Sequence, residues 1–67
     1  MARWAIIDKR NNKVINVIEA EDDFINSLTH FPDKDGNLWS VQDLLLIKTD
    51  KGSVDDIYID GKFYREV

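Results

Sequence analysis

Trp4 to Ile7 and Val14 to Ile18 are two runs of β-branched and aromatic residues. Between them lie Lys9-Arg10-Asn11-Asn12, polar residues that tolerate left-handed turn conformations. The pattern predicts an antiparallel hairpin, and that hairpin is apolar on both sides. In the first strand Trp4 and Ile6 share one face, and Ala5 and Ile7 share the other. In the second, Val14 and Ile18 oppose Ile15 and Val17. A sheet buried on both faces needs a covering layer on each, so a helix is expected on one side and another sheet or a second subunit on the other. A chain of 67 residues has room for one core only, so residues 1–67 are read as a single domain near the lower size limit for folding alone. Help from a partner chain fits that size.

After the hairpin, Glu21-Asp22-Asp23 precede Phe24, Ile25 and Leu28, whose spacing makes a helical stripe. Carboxylates at the start of this short helix are favoured by the helix dipole. Phe31-Pro32 mark its latest possible end. A turn at Pro32-Asp33-Lys34-Asp35-Gly36-Asn37 leads to Leu38–Val41, read as a strand. Leu44–Lys48 follows, with a strand or a helical turn both open. A second turn covers Thr49–Ser53. Ile57–Ile59, the two-residue turn Asp60-Gly61 and the return strand Phe63-Tyr64 complete a second hairpin. The expected class is α+β: a small antiparallel sheet of about four or five strands with one short helix.

Composition removes several functions. There is no cysteine, hence neither a disulfide framework nor a thiolate metal site, and a reducing or indifferent compartment fits. Nine basic against thirteen acidic residues give a net charge of −4, which speaks against nucleic acid as a partner. The longest apolar run is Leu44-Leu45-Leu46-Ile47, far short of the roughly 18 residues of a membrane helix, and the N-terminus lacks a signal-peptide core. No membrane association is expected.

No catalytic, cofactor-binding or metal-ligating set emerges. Asp33-Lys34-Asp35-Gly36-Asn37 matches the opening of a calcium loop, but Leu38 stands where the bend needs glycine and Leu44 where a bidentate glutamate is required. His30, the sole histidine, is expected at the helix C-terminus as a capping group. Ser27, Ser40 and Ser53 lack a nucleophile-elbow context, and the three glycines form no phosphate loop. Glu21, Asp22 and Asp23 read as solvated dipole partners, and Asp55, Asp56 and Asp60 as charges that protect a sheet edge. The chain is not expected to be an enzyme, and no cofactor is implied.

Trp4, Trp39, Tyr58, Phe63 and Tyr64 are many large rings for so short a chain. Rings of this kind anchor interfaces as well as cores, so these five are the candidate protein-contact residues. Stacking of single-stranded bases between these rings and Arg3, Lys62 and Arg65 is opposed by Asp55, Asp56 and Asp60 nearby.

Three stretches, in order, carry a resemblance. Trp4-Ala5-Ile6-Ile7-Asp8 followed by Lys13–Phe24, then Asn37-Leu38-Trp39-Ser40-Val41, then Asp56–Tyr64 with its Asp-Gly turn, cover about half the chain. Together they resemble small virion and tail-fibre-associated proteins of tailed bacteriophages. The chain departs from that type at Leu44–Thr49, where an apolar segment replaces a short glycine-containing link. The resemblance implies a non-enzymatic structural role as a head, neck, tail or fibre accessory, with other virion proteins or its own copies as partners. It also implies a homo-oligomer or a place in a larger assembly, with residence in the virion and, before assembly, in the host cytoplasm. The alternative is a small acidic phage protein that binds and modulates a host protein.

Overall fold

The first hairpin forms as its pattern requires. In the computed structural model, which describes residues Met1–Val67, β1 (Ala2–Asp8) pairs antiparallel with β2 (Lys13–Ala20). Asn12 closes the turn at φ +60°, and its N–H donates to the Asp8 carbonyl at 2.8 Å. The alternation along β2 is broken. Ile6 faces Asn16 and Ile7 faces Val14, so Ile15 is an extra residue, a β-bulge. Val14 and Val17 therefore pack on the face of Ala5 and Ile7, and Ile15 and Ile18 on the face of Trp4 and Ile6. Strict period two had placed Val14 with Ile18 and Ile15 with Val17; the bulge overturns that pairing.

The chain continues through α1 (Asp22–Ser27), β3 (His30–Pro32), β4 (Leu38–Ser40), a 3-10 turn (Val41–Asp43), β5 (Leu44–Lys48), β6 (Ile57–Ile59) and β7 (Lys62–Tyr64). Five strands form one antiparallel sheet in the order β5-β1-β2-β6-β7, and β3-β4 form a separate pair. This is the expected small α+β fold. Leu44–Lys48 is a strand. β4 stops at Ser40, one residue before the expected Val41.

The helix is shorter than its stripe. Leu28 already has extended backbone, so His30 is not a helix cap; it lies exposed in β3 opposite Ser40, and its Nδ1 is 2.9 Å from Thr29 Oγ1. The helix ends well before its limit at Phe31-Pro32, and Phe31 is a fully buried strand residue opposite Trp39. Ile25 is buried and Leu28 half-buried, whereas Phe24 turns outward.

Two layers cover the sheet. On one face Ile6, Ala20 and Leu44 meet Ile25 of α1 and Phe31 of β3. The bulge fastens this layer: the freed Ile15 carbonyl accepts the Lys34 N–H at 3.0 Å, and Asn16 Nδ2 donates to the Pro32 carbonyl at 3.0 Å. On the other face Ala5, Ile7 and Val14 are covered by Tyr58 and Phe63 of the β6–β7 hairpin. The second layer thus comes from the same chain. β6 joins β2 through only one register pair, Lys13 with Ile57, so the hairpin is free to curl over the sheet. The Arg3 guanidinium ties down the connecting loop by donating to the carbonyls of Thr49 at 3.2 Å, Lys51 at 2.8 Å and Gly52.

Candidate protein-contact surfaces

The five rings do not converge. Trp4 packs on the helix-side core, its Nε1 donating to the Ala20 carbonyl at 3.2 Å, and Lys48 Nζ stands 5.4 Å from its ring centre. Trp39 packs on the same core, 5.5 Å beneath the Arg10 guanidinium, and donates to Asp33 Oδ2 at 3.0 Å. Tyr58 and Phe63 face the opposite core as a tilted pair, centroids 5.0 Å apart. Only Tyr64 turns outward, half exposed at 50%.

The position of Tyr64 follows from its turn. Asp60 and Gly61 both have positive φ, at +50° and +81°, as a type I′ turn demands. That turn sets Ile57 opposite Tyr64 and Ile59 opposite Lys62, so these four share the outer face while Tyr58 and Phe63 share the inner one. Ile59 is 48% exposed and extends an apolar strip beside Tyr64. Leu38 at 70% and Phe24 at 53% are the other large apolar side chains in the open apart from the terminal Met1 and Val67. The five rings leave out Ile59 and Leu38, which are aliphatic, and Phe24, which belongs to the helical stripe. The Asp-Gly register was the signal that separates Ile59 from Tyr58.

A second kind of surface is the sheet edge. β5 lies at one end of the sheet, and its inner side is read from two bonds, Lys9 N–H to the Asp43 carbonyl and Thr49 N–H to the Arg3 carbonyl. Antiparallel bonds alternate, so Leu45 and Ile47 face β1 while the main-chain groups of Leu44, Leu46 and Lys48 face outward.

The remaining candidates are engaged in holding the fold. Asp33 Oδ1 accepts the N–H groups of Asp35 at 2.9 Å and Asn37 at 3.0 Å, so the calcium-like string is a carboxylate-stapled hairpin loop. The indole N–H of Trp39, with these loop N–H groups, holds the Asp33 carboxyl below its ordinary range. Asp55 pairs with Lys34 at 3.0 Å, which raises the lysine's pKa, and lies 4.0 Å from Lys13. Glu21 lies near the N-terminal amine, and Asp22 pairs with Lys48 at 2.8 Å. A cleft of about 520 Å³ between the loop and the hairpin tip is lined by Thr49, Lys51, Gly52, Asp56, Gly61, Lys62 and Phe63. The Asp56 carboxylate there accepts the Ser53 N–H at 2.9 Å.

Asp8 is the one buried charged residue, 3% exposed, at the end of β1. Arg10 grips it with Nε at 3.1 Å, Nη2 at 2.9 Å and its own N–H at 2.9 Å. The arginine's side-chain bonds lower the Asp8 pKa, against a smaller opposing effect of burial, and the arginine's pKa rises in return. A carboxyl with a depressed folded pKa stabilises fully above its unfolded value near 4, and that stability is lost as pH falls through the folded value. We predict that Asp8→Asn costs about 1–3 kcal/mol at pH 7 and flattens the acid limb of stability below about pH 4. Urea titrations of both proteins between pH 2 and 7 check this; parallel curves would show the ion pair to be inert.

No family model, curated protein or solved structure matches the chain.

Proposed function

We propose that the protein is a non-enzymatic structural accessory of a tailed-bacteriophage particle, working through protein–protein contacts in the head, neck, tail or fibre. The observation that carries this reading is the pairing of outward apolar side chains with open main-chain edges. Ile59 and Tyr64 form an apolar strip on the outer face of the terminal hairpin, and β5 ends the sheet at its other side. Apolar patches rimmed by charge are contact sites, and sheet edges are templates for added strands. Support from chemistry runs the same way: Arg3, Asp8, Asp33 and Asp55 hold the fold together rather than lining a cleft. The order of the three sequence stretches resembling phage proteins supplies the particle.

Mass spectrometry of purified particles of the phage that encodes the chain tests the reading. The expected result is a constant copy number per particle. Absence from particles, with capture of a host protein by the tagged chain from infected cells, would overturn it in favour of the acidic host-protein modulator.

A further inference from the structure

Edge strands normally carry charges, proline or a bulge that discourage pairing. β7 follows this rule: it is three residues long, begins at Lys62 and is followed by Arg65 and Glu66. β5 does not. It reads Leu-Leu-Leu-Ile-Lys, with neither bulge nor proline, and its only charge is terminal. The free main-chain groups along it are specific. The Leu44 N–H is already bonded to the Val41 carbonyl by the preceding 3-10 turn. No backbone partner outside the sheet takes the Leu44 carbonyl, or either main-chain group of Leu46 and Lys48.

We propose that β5 is a self-pairing edge, joining antiparallel with β5 of a second copy about a two-fold axis at Leu46; this names the partner of one surface in the assembly reading and rests on it. Three features select this occupant and this register. With Leu46 opposite its own copy, Leu44 faces Lys48 of the other chain, and the whole five-residue strand overlaps. The free groups then match: Leu46 N–H and carbonyl bond reciprocally, and each Lys48 N–H meets a Leu44 carbonyl, making four bonds without needing the occupied Leu44 N–H. The side chains match as well. Leu45 lies opposite Ile47 of the copy on one face, and Leu46 opposite Leu46 on the other, so both apolar layers run on across the axis. Moving the axis to Leu45 would set Asp43 against Ile47. Moving it to Ile47 would set Asp50 against Leu44. The Leu46 register avoids both, and Lys48 presents its methylene stem to Leu44 of the copy while its amine stays on Asp22.

A five-residue edge is a small interface, so dissociation is expected in the range of about 10–500 µM. The chain has no cysteine, which makes a single introduced thiol an unambiguous probe. Cα atoms of a hydrogen-bonded antiparallel pair lie about 5.5 Å apart, within disulfide reach. Leu46→Cys under mild oxidation at about 500 µM is expected to give a covalent dimer as the main species, while Asn26→Cys, on the exposed side of α1 and outside both contact surfaces, stays largely monomeric. In the unmodified protein, amide exchange at Leu46 and Lys48 is expected to slow several-fold between about 20 µM and 1 mM. This second readout does not depend on how a variant folds. Concentration-independent exchange at both amides, or no more cross-linking through Leu46→Cys than through Asn26→Cys, would overturn the pairing. Particles that contain the protein while its β5 amides remain unprotected would defeat the pairing alone. A β5-linked dimer absent from particles would defeat the assembly reading alone.

Discussion

Phe31→Ala is expected to abolish the cooperative thermal transition of this protein. Phe31 is fully buried where β3 crosses the sheet, among Ile6, Ala20, Ile25 and Leu44. Truncating a buried phenylalanine costs about 3–5 kcal/mol, transfer and cavity together. A domain of this size has a total stability of about 3–10 kcal/mol, so the variant sits at or below the folding threshold near room temperature. Phe31→Leu, which keeps most of the volume, is expected to cost only about 1–2 kcal/mol. Circular dichroism melting of the two variants reads both. A Phe31→Ala protein that melts within a few degrees of the parent would mean that β3 does not hold the helix-side core together.

The second large effect is expected at Gly52. Its φ of +87° suits glycine, and a Cβ built there would lie 2.6 Å from the Phe63 ring. Left-handed backbone costs an alanine about 1–2 kcal/mol, and forcing the ring aside adds about 1–3 kcal/mol. Phe63 cannot yield without uncovering Ala5, Ile7 and Val14, because it is part of their lid. Gly61 is the control. Its φ of +81° is similar, yet no atom lies within 4 Å of its Cβ position. Gly61→Ala should show the backbone cost alone, and Gly52→Ala a melting temperature lower by about a further 5–20 °C. Equal losses at the two sites would mean that the loop does not press on the ring.

Much of this architecture was written in local pattern. The two strands of the first hairpin, the polar turn with left-handed Asn12, the acidic helix start and the Asp60-Gly61 turn all follow from nearest-neighbour chemistry. What escaped depends on contacts distant along the chain. Ile15 becomes a bulge because its carbonyl and the Asn16 amide reach the β3–β4 hairpin, and no two-residue period carries that information. Phe31, next to Pro32, marked only the latest possible end of the helix, and nothing local assigned it to a strand. Its burial comes from packing against Ile6, Ala20, Ile25 and Leu44 of distant elements, and His30 is carried out to the surface by the same strand. The apolar run at Leu44–Ile47 fitted either a helix or a strand; the ladder with β1 decides it.

The contact surfaces were partly legible for the same reason. Aromatic content marked Tyr64, but it marked Tyr58 and Phe63 equally, and only the register of the type I′ turn separates the inward pair from the outward residue. The need for a covering layer on each side of the first hairpin was correct. The second layer turned out to be the chain's own terminal hairpin, fastened by Arg3, which leaves the β5 edge rather than a bare sheet face as the open side.

On the function proposed above, this protein works by joining other protein chains, its own copies included. Light scattering of the purified chain from about 10 µM to 1 mM tests it most directly. The expected mass rises with concentration from 7.8 kDa toward twice that value. A mass of 7.8 kDa held across the whole series would contradict it.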